Sequence, residues 1–378
     1  MYYLVVIGGG VWGVSAASAA VGSGVPSVLL LEARSGVGSE ASAKAGGIVT
    51  DLLWHPEDQA WVSESRRLYG AACQASDDPA MVQRLGLMTL ADPSRSRLAQ
   101  AKAAALRERD IPAELLTHAD LAARFPDLAV VSPDVTALWL PQDWHVNATA
   151  YCQQTVRAAR AAGLEVRTAH RVVRIAVEDR RVVILGPGEP IAAERVLVAA
   201  GSWTRKLVQT AGCDIPLRPY RVQLASLGMP GGHHFPMVWD LATDMYLVPD
   251  GPRAFLAGDG TRLAEHDPDA YQESGDAGFH EDLARRVPEL VAVGGEAHVV
   301  TSWAGVVGAT PDRRPLVGQV ADRLAVACGD NGFGVMRGPA IGRLASQVAL
   351  GEADRPHLSP MRAPADDFPI RPGFTIEE

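Results

Sequence analysis

Two glycine-rich turns, one near each end of the chain, carry the residues whose types and spacing could do chemistry. The first, Gly8-Gly9-Gly10-Val11-Trp12-Gly13, fits G-x-G-x-x-G. In such a turn Gly8 permits the tight bend, Gly10 lets a pyrophosphate reach the backbone, and Gly13 lets a helix pack against the sheet. The helix opening there offers free N–H groups and a partial positive charge to phosphates. The second turn runs from Cys328 through Gly329, Asp330, Asn331, Gly332 and Phe333 to Gly334, before a helical stretch past Gly342. It makes a second backbone anion site, remote in sequence from the first. Nicotinamide and flavin dinucleotides share the first fingerprint. The second site favours a flavin, whose reduced ring carries negative charge near N1 and the C2 carbonyl. At both turns the alternative is a glycine turn that serves packing alone.

These turns need elements to hold them. Tyr2–Ile7 is apolar and β-branched, residues 11–23 have helical spacing, and Val28–Leu31 reads as a buried strand. That strand ends in Glu32, an acid placed to accept bonds from adenosine ribose hydroxyls. The spacing predicts helices over about 57–75, 94–109, 147–162, 279–287 and 334–349. Strands are expected at 85–90, 164–166, 172–177, 182–185, 195–199, 255–257, 299–303 and 324–327, with 33–50 a loop and 121–126 and 141–146 irregular. The expected fold class is α/β with α+β elements: a Rossmann-type dinucleotide-binding domain interleaved with a β-sheet-rich substrate domain. The first would comprise 1–80, 145–215 and 300–352, the second 81–144 and 216–299. Residues 353–378, with Pro356, Pro360, Pro364, Pro369 and Pro372, would form an extended tail.

Composition removes other classes. With 35 Lys plus Arg against 44 Asp plus Glu the net charge is −9, which disfavours capture of nucleic acid or anionic lipid. Cys73, Cys152, Cys213 and Cys328 form no CxxC pair, and His233-His234 has no second pair or acid at ligand spacing, so no metal site is expected. His55, His145, His233 and His234 suit surface or satisfied core positions better than a catalytic base. No GxSxG elbow points to a hydrolase. The opening MYYLVVIGGG has no basic n-region, and no run of about eighteen apolar residues occurs. A cytoplasmic location without a membrane span is expected.

The ordered stretches VVIGGGVWGVSAA, LLLEAR, SEASAKAGGIVT (39–50), RVLVAAGSWT (195–204), WAGVVGATPDRRPLVG (303–318) and CGDNGFGVMRGPAIG (328–342) resemble the flavin amine oxidoreductases of the D-amino-acid oxidase superfamily. The sarcosine oxidase/glycine oxidase branch is the most similar. The resemblance implies FAD as cofactor. It assigns Gly8, Gly10, Val11, Trp12 and Gly13 to the dinucleotide, with Glu32, Ala33 and Arg34 at the adenosine half and Val172 meeting the adenine through its backbone. Ser42, Lys44, Ala45 and Gly46 would lie on the loop that meets the ring, and Gly201 and Trp203 would border the cofactor. Gly332, Phe333, Gly334, Val335 and Met336 would serve the pyrimidine end.

The pattern also departs from the family. Gly305 stands where sarcosine oxidases carry the flavin-linked cysteine, and Lys44 where dimethylglycine-type enzymes carry a histidine, so non-covalent FAD is expected. Val307 replaces the carboxylate-clamping arginine of glycine oxidases, and Met336 the lysine of sarcosine oxidases. Arg218, Arg221, Arg253 and Arg337 are the substitutes the sequence offers, with Arg337 foremost because it sits in a helical first turn, where a cation needs a compensating anion. The catalytic candidates are therefore Lys44, Tyr246 and Arg337. Lys44 could stabilise the reduced ring or aid electron transfer to oxygen, or reach solvent or a FAD phosphate. Tyr246 could line the substrate pocket or pack in the core.

The implied activity is oxidation of the C–N bond of a small, secondary or N-methyl, amine or amino acid by hydride transfer to flavin N5. An imine and then a carbonyl product follow, with peroxide if dioxygen is the acceptor. The alternatives are an amine, amino-acid or 2-hydroxy-acid dehydrogenase that passes electrons to a quinone or partner subunit, and a non-catalytic subunit that keeps FAD for structure. A homo- or hetero-oligomer is open.

Overall fold

The computed structural model describes residues 1–370 except Trp54, Ala129 and Asp366. Its first sheet is built on Tyr2–Ile7, whose residues from Leu4 onward are buried, as a central parallel strand covered on both faces requires. The parallel order is Leu324–Cys328, Ile191–Val198, Tyr2–Ile7, Val28–Leu31 and Glu165–Arg167. Leu316–Ala321 closes one edge antiparallel, and the hairpin of Arg174–Glu178 and Arg181–Leu185 adds to Ile191–Val198.

Helices Val11–Gly22 and Gly334–Leu350 cross against each other in the core on this sheet. Small residues allow the crossing: a Cβ on Gly338 would overlap the Val11 side chain, and one on Gly342 would overlap the Trp12 carbonyl oxygen. The approach is close enough for the Trp12 indole to donate to the Gly334 carbonyl at 2.9 Å, between residues 322 apart in sequence. The two glycine turns are thereby held side by side.

The second sheet runs Leu263–Ala264, Arg218–Gly228, Ala254–Gly258, Tyr246–Pro249, Met237–Asp240, Leu87–Ala91, Thr136–Leu140 and Glu114–Leu116. His298–Ala309 pairs antiparallel with Arg218–Gly228. One face buries Met88, Val238, Leu247 and Phe255 against Phe279, Leu283 and Val287 of the helix Ala277–Leu290. Each such side chain contributes about 1.5–3 kcal/mol through burial. A small third sheet joins Ile48–Val49, Trp144–Val146 and Val82–Arg84.

Beside that small sheet lies a buried ionic cluster. Arg66, from the helix Pro56–Gln74, pairs with Asp51 and with Asp143 at 2.6 Å, and the Thr50 hydroxyl donates to Asp143. Asp143 is 1% exposed. Burial pushes its carboxyl above the ordinary range; Arg66 pulls it down, and the neighbouring Asp51 adds to the rise.

Several expectations are corrected. The strand expected at 85–90 begins only at Leu87 (Leu87–Ala91), because Gly86 has φ +68° and a Cβ there would overlap the Trp139 indole, and a separate strand, Val82–Arg84, precedes it. Residues expected to be irregular from 121 on belong to the helix His118–Arg124, closed by a capping box in which the Asp120 amide donates to Thr117 Oγ1 and the Thr117 amide to Asp120, both at 3.1 Å. With Leu121 as its only buried residue, that helix has no readable apolar period. Trp144–Val146 is a strand because partners flank it on both sides. Residues 300–309 belong to the second sheet through His298–Ala309, so the 300–352 segment does not sit wholly with the first. The tail is not simply extended: Pro356–Leu358 is a 3-10 turn with Leu358 fully buried. Pro372 lies outside the described residues.

Candidate active site

A cavity of 690 Å3 opens at the carboxyl ends of the parallel strands, where open α/β sheets bind ligands. Its size falls within the range of roughly 300–1,000 Å3 usual for cofactor sites. Residues 8–12, 32–34, 170–173, 199–203 and 327–330, which follow or end the parallel strands, line one side together with Gly332, Gly334, Val335 and Met336. The second sheet supplies the other side through Val222, Gln223, Leu224, Trp239, Tyr246 and residues 305–308.

The first turn is held by the acid that follows the second strand. Glu32 accepts from the Gly9 amide at 2.6 Å and from the Arg34 amide at 2.7 Å. Burial raises the Glu32 carboxyl above its ordinary range, although these two amides oppose the shift. Ser42 Oγ accepts from the Val11 amide at 3.2 Å, tying the 39–50 loop to the first helical turn. Gly13 does the packing expected of it, since a Cβ there would overlap the Gly8 carbonyl oxygen.

Lys44 reaches the cavity, but not as an isolated charge. Its ammonium donates to the Tyr271 hydroxyl at 2.6 Å and to Glu40 at 3.3 Å, with Glu273 at 3.6 Å. Arg34 pairs with the same two carboxylates. Burial would lower the Lys44 pKa; the Tyr271 bond and the Glu40 charge outweigh it and hold it above the ordinary value. Lys44 is therefore a charged clasp between the 39–50 loop and residues 271–273. Tyr246 lies against that loop and the second sheet, because a Cβ on Gly46 would meet its ring at 2.8 Å and one on Gly258 would overlap it. Burial pushes the Tyr246 phenol well up, so it stays protonated.

Other candidates fall elsewhere. Arg337, foremost among the substitutes for a missing anchor, is corrected. It is 1% exposed, does not line the cavity, and binds Asp58 at 2.5 Å and the Asp330 carbonyl at 3.0 Å. The anion its helical position demands is thus Asp58. Phe333 also lies off the lining. Arg221 pairs with Glu265 and Asp276, and Arg218 with Asp367. None of His55, His145, His233 and His234 lines the cavity. The remaining cofactor candidates line it, apart from Gly13 behind the turn. Sequence reasoning missed Lys206 on the helix Thr204–Gln209, Arg262, Asp269, Tyr271 and Glu273 on a later segment that lines the cavity, and Asp330. Only Asp330 carried a signal, as an acid inside a glycine turn.

The family model described as FAD dependent oxidoreductase (DAO) matches residues 4–348. The chain belongs to that family. It is 29% identical over 92% of its length to a 4-methylaminobutanoate oxidase (formaldehyde-forming) of Paenarthrobacter nicotinovorans, but spans only 43% of that relative. It is 26% identical to the glycine oxidase of Pseudomonas putida, over 92% of this chain and 94% of that one. The crystal structure of glycine oxidase from Geobacillus kaustophilus superposes with a TM-score of 0.84 at 22% identity, covering 96% of this chain and 99% of that one, which shows a shared fold.

The cavity fits the FAD of this family. A Cβ on Gly10 would meet no neighbour closer than Ser42 Oγ at 3.3 Å, and one on Gly201 would meet nothing within 4 Å, so the backbone there is bare to a ligand. Gly8 to Trp12, Glu32 and Arg34 would hold the ADP half, and the amides of Gly332 and Gly334 to Met336 the ring's polar edge. Among the described residues no helix is long and apolar enough to cross a membrane.

Asp330 stands out within this FAD-family site. One of its carboxylate oxygens is buried with no hydrogen-bond partner among the described residues, and burial pushes its carboxyl up to about 6. A carboxyl raised in the folded state binds more protons folded than unfolded, so its ionisation costs stability as pH rises from about 4 to 6. Asp330→Asn is expected to raise the Tm of the flavin-free protein above pH 6 and to leave it nearly unchanged near pH 4. A gain independent of pH in thermal melts would contradict this.

Proposed function

We propose that the protein oxidises the C–N bond of a small secondary amine or N-methyl amino acid with non-covalently held FAD. One observation carries the reading: a single cavity joins both glycine turns to a sheet face bearing Tyr246. Two relatives whose names state oxidation of an amine or amino acid support it. Bound FAD supplies the two-electron acceptor for the substrate C–H bond. The chain's residues orient and enclose. Val222, Leu224 and Trp239 give an apolar wall that excludes water, and helix amides meet the charge that develops on reduction. Neither the clasped Lys44 nor the protonated Tyr246 is an accepting base, so the substrate amine enters unprotonated. Cys328 lines the cavity, yet burial pushes its thiol far up, which leaves no thiolate for a covalent link. All four cysteines are free, in keeping with the cytoplasmic location that is part of this proposal.

The test is anaerobic mixing of the FAD-loaded protein with a panel of N-methyl amino acids. Bleaching of the flavin absorbance, then peroxide on admission of air, is expected; a panel that bleaches nothing overturns the reading. A second reading, a dehydrogenase that passes electrons to a quinone or partner subunit, is favoured by the neutralisation of Lys44 by Glu40 and Glu273. In that case bleaching occurs, but only artificial acceptors restore the colour.

A further inference from the structure

The turn between the strand Leu324–Cys328 and the helix Gly334–Leu350 holds an acid that the proposed activity leaves without a role. Asp330 lines the cavity beside Gly329, Gly332 and Gly334. One of its carboxylate oxygens, Oδ1, is buried without a hydrogen-bond partner among the described residues. The other, Oδ2, is tucked against the first residue of the helix, where a Cβ on Gly334 would meet it at 2.7 Å. The turn fixes this placement. The Asp330 carbonyl accepts from the Phe333 amide at 2.8 Å and from Arg337 at 3.0 Å, and the Asn331 amide donates to the Gly308 carbonyl at 3.0 Å.

Little charge offsets this carboxylate. Arg337 pulls it down, but that guanidinium is shared with Asp58 of the helix Pro56–Gln74. From the neighbouring strands Tyr220 and Cys328 face it, both kept protonated by burial and both raised further by the Asp330 charge. Burial dominates and pushes the Asp330 carboxyl up to about 6, so near neutral pH it is ionised yet close to taking a proton. The amides of Gly332 and Gly334 to Met336, assigned above to the ring's polar edge, open the same helix. Their free N–H groups favour an anion at that terminus. The reduced ring brings a second anion to them, and a like charge in a poorly solvated site drives a carboxylate to protonate.

We propose that Asp330 takes up a proton when FAD held in this cavity is reduced. This rests on the FAD half of the reading above and adds the proton step that accompanies reduction. Hydride transfer brings two electrons and one proton to the cofactor, adds one negative charge there, and leaves the substrate as an iminium cation. The Asp330 carboxylate takes one proton from solvent and becomes a neutral carboxylic acid. Two electrons and two protons thus enter the site together, and the helix amides face one negative charge rather than two. Asp330 tunes the cofactor in this way and is not a base for the substrate amine.

The experiment holds FAD-loaded wild type and Asp330→Asn at fixed potentials in an anaerobic spectroelectrochemical cell with mediator dyes, so no substrate is needed. Between about pH 7 and 8 the ratio of reduced to oxidised flavin at one potential should change about a hundredfold per pH unit in the wild type, for two protons. In Asp330→Asn the change should be about tenfold, for one proton. Reduced-minus-oxidised infrared spectra of the wild type should show a protonated carboxyl band that shifts in heavy water, and the variant should lack it. The same pH dependence in both proteins overturns the proposal, as does a wild type without that band or a band that survives the substitution. A wild type that gives the expected proton count but is bleached by no amine keeps Asp330 in this role, and the oxidation reading then fails separately.

Discussion

Gly10→Val should purify as a folded but colourless protein. The backbone at residue 10 is extended (φ −74°, ψ 178°), which valine adopts without strain, and the nearest atom to a new Cβ is Ser42 Oγ at 3.3 Å. The added methyl groups would enter the cavity where a pyrophosphate must approach the first helical turn. FAD occupancy is expected to fall at least about tenfold, since helix amides bind phosphate only at direct contact. The circular dichroism spectrum should stay that of the wild type. Gly13→Ala makes the contrast: its Cβ overlaps the Gly8 carbonyl oxygen, so backbone must shift, and both Tm and soluble yield should drop. Flavin-to-protein absorbance ratios and thermal melts of the two variants check the pair. A yellow Gly10→Val protein with wild-type FAD affinity would place the phosphates elsewhere.

Arg66→Leu is expected to lose about 3–5 kcal/mol of folding stability, the usual cost of removing one partner from a buried ion pair. The loss is large because Asp51 and Asp143, both buried, then lose the cation that pairs directly with each, leaving only the more distant charge of Lys102. For a chain of this size that is a fall in Tm on the order of 10 °C. The pH sign follows from Asp143, whose carboxyl is raised in the folded state, chiefly by burial. Protonation relieves the buried charge, so the deficit should be smaller at pH 5 than at pH 8. Adding Asp143→Asn to Arg66→Leu should restore part of the stability at pH 8. A deficit below about 1 kcal/mol in denaturant titration would mean that water screens the cluster as it does surface pairs.

Much of the cofactor half of the site was legible in the sequence, because its parts are local. Gly8 to Gly13 and Glu32 each follow a strand that can be read from its own residues, but that Glu32 also accepts from the Gly9 amide of the turn was not read from the sequence. The substrate half was not legible. Arg262, Tyr271 and Glu273 lie on a segment without period or motif, and reach the cavity only because neighbouring strands carry it there. Arg337 misled for the same reason: its helical position was visible, but its partner Asp58 is 279 residues away. The strand His298–Ala309 could not be assigned to a sheet from its own residues, since its register is set by Arg218–Gly228.

The hydrogen bond from Trp12 to Gly334 also bears on how the protein is made. The phosphate turn leaves the ribosome first, yet the helix that braces it and the amides for the far end of the ligand emerge more than three hundred residues later. Between the two, the nascent chain carries only half of the candidate binding site. Early segments must stay soluble by their own packing or with chaperone help until the helix Gly334–Leu350 docks.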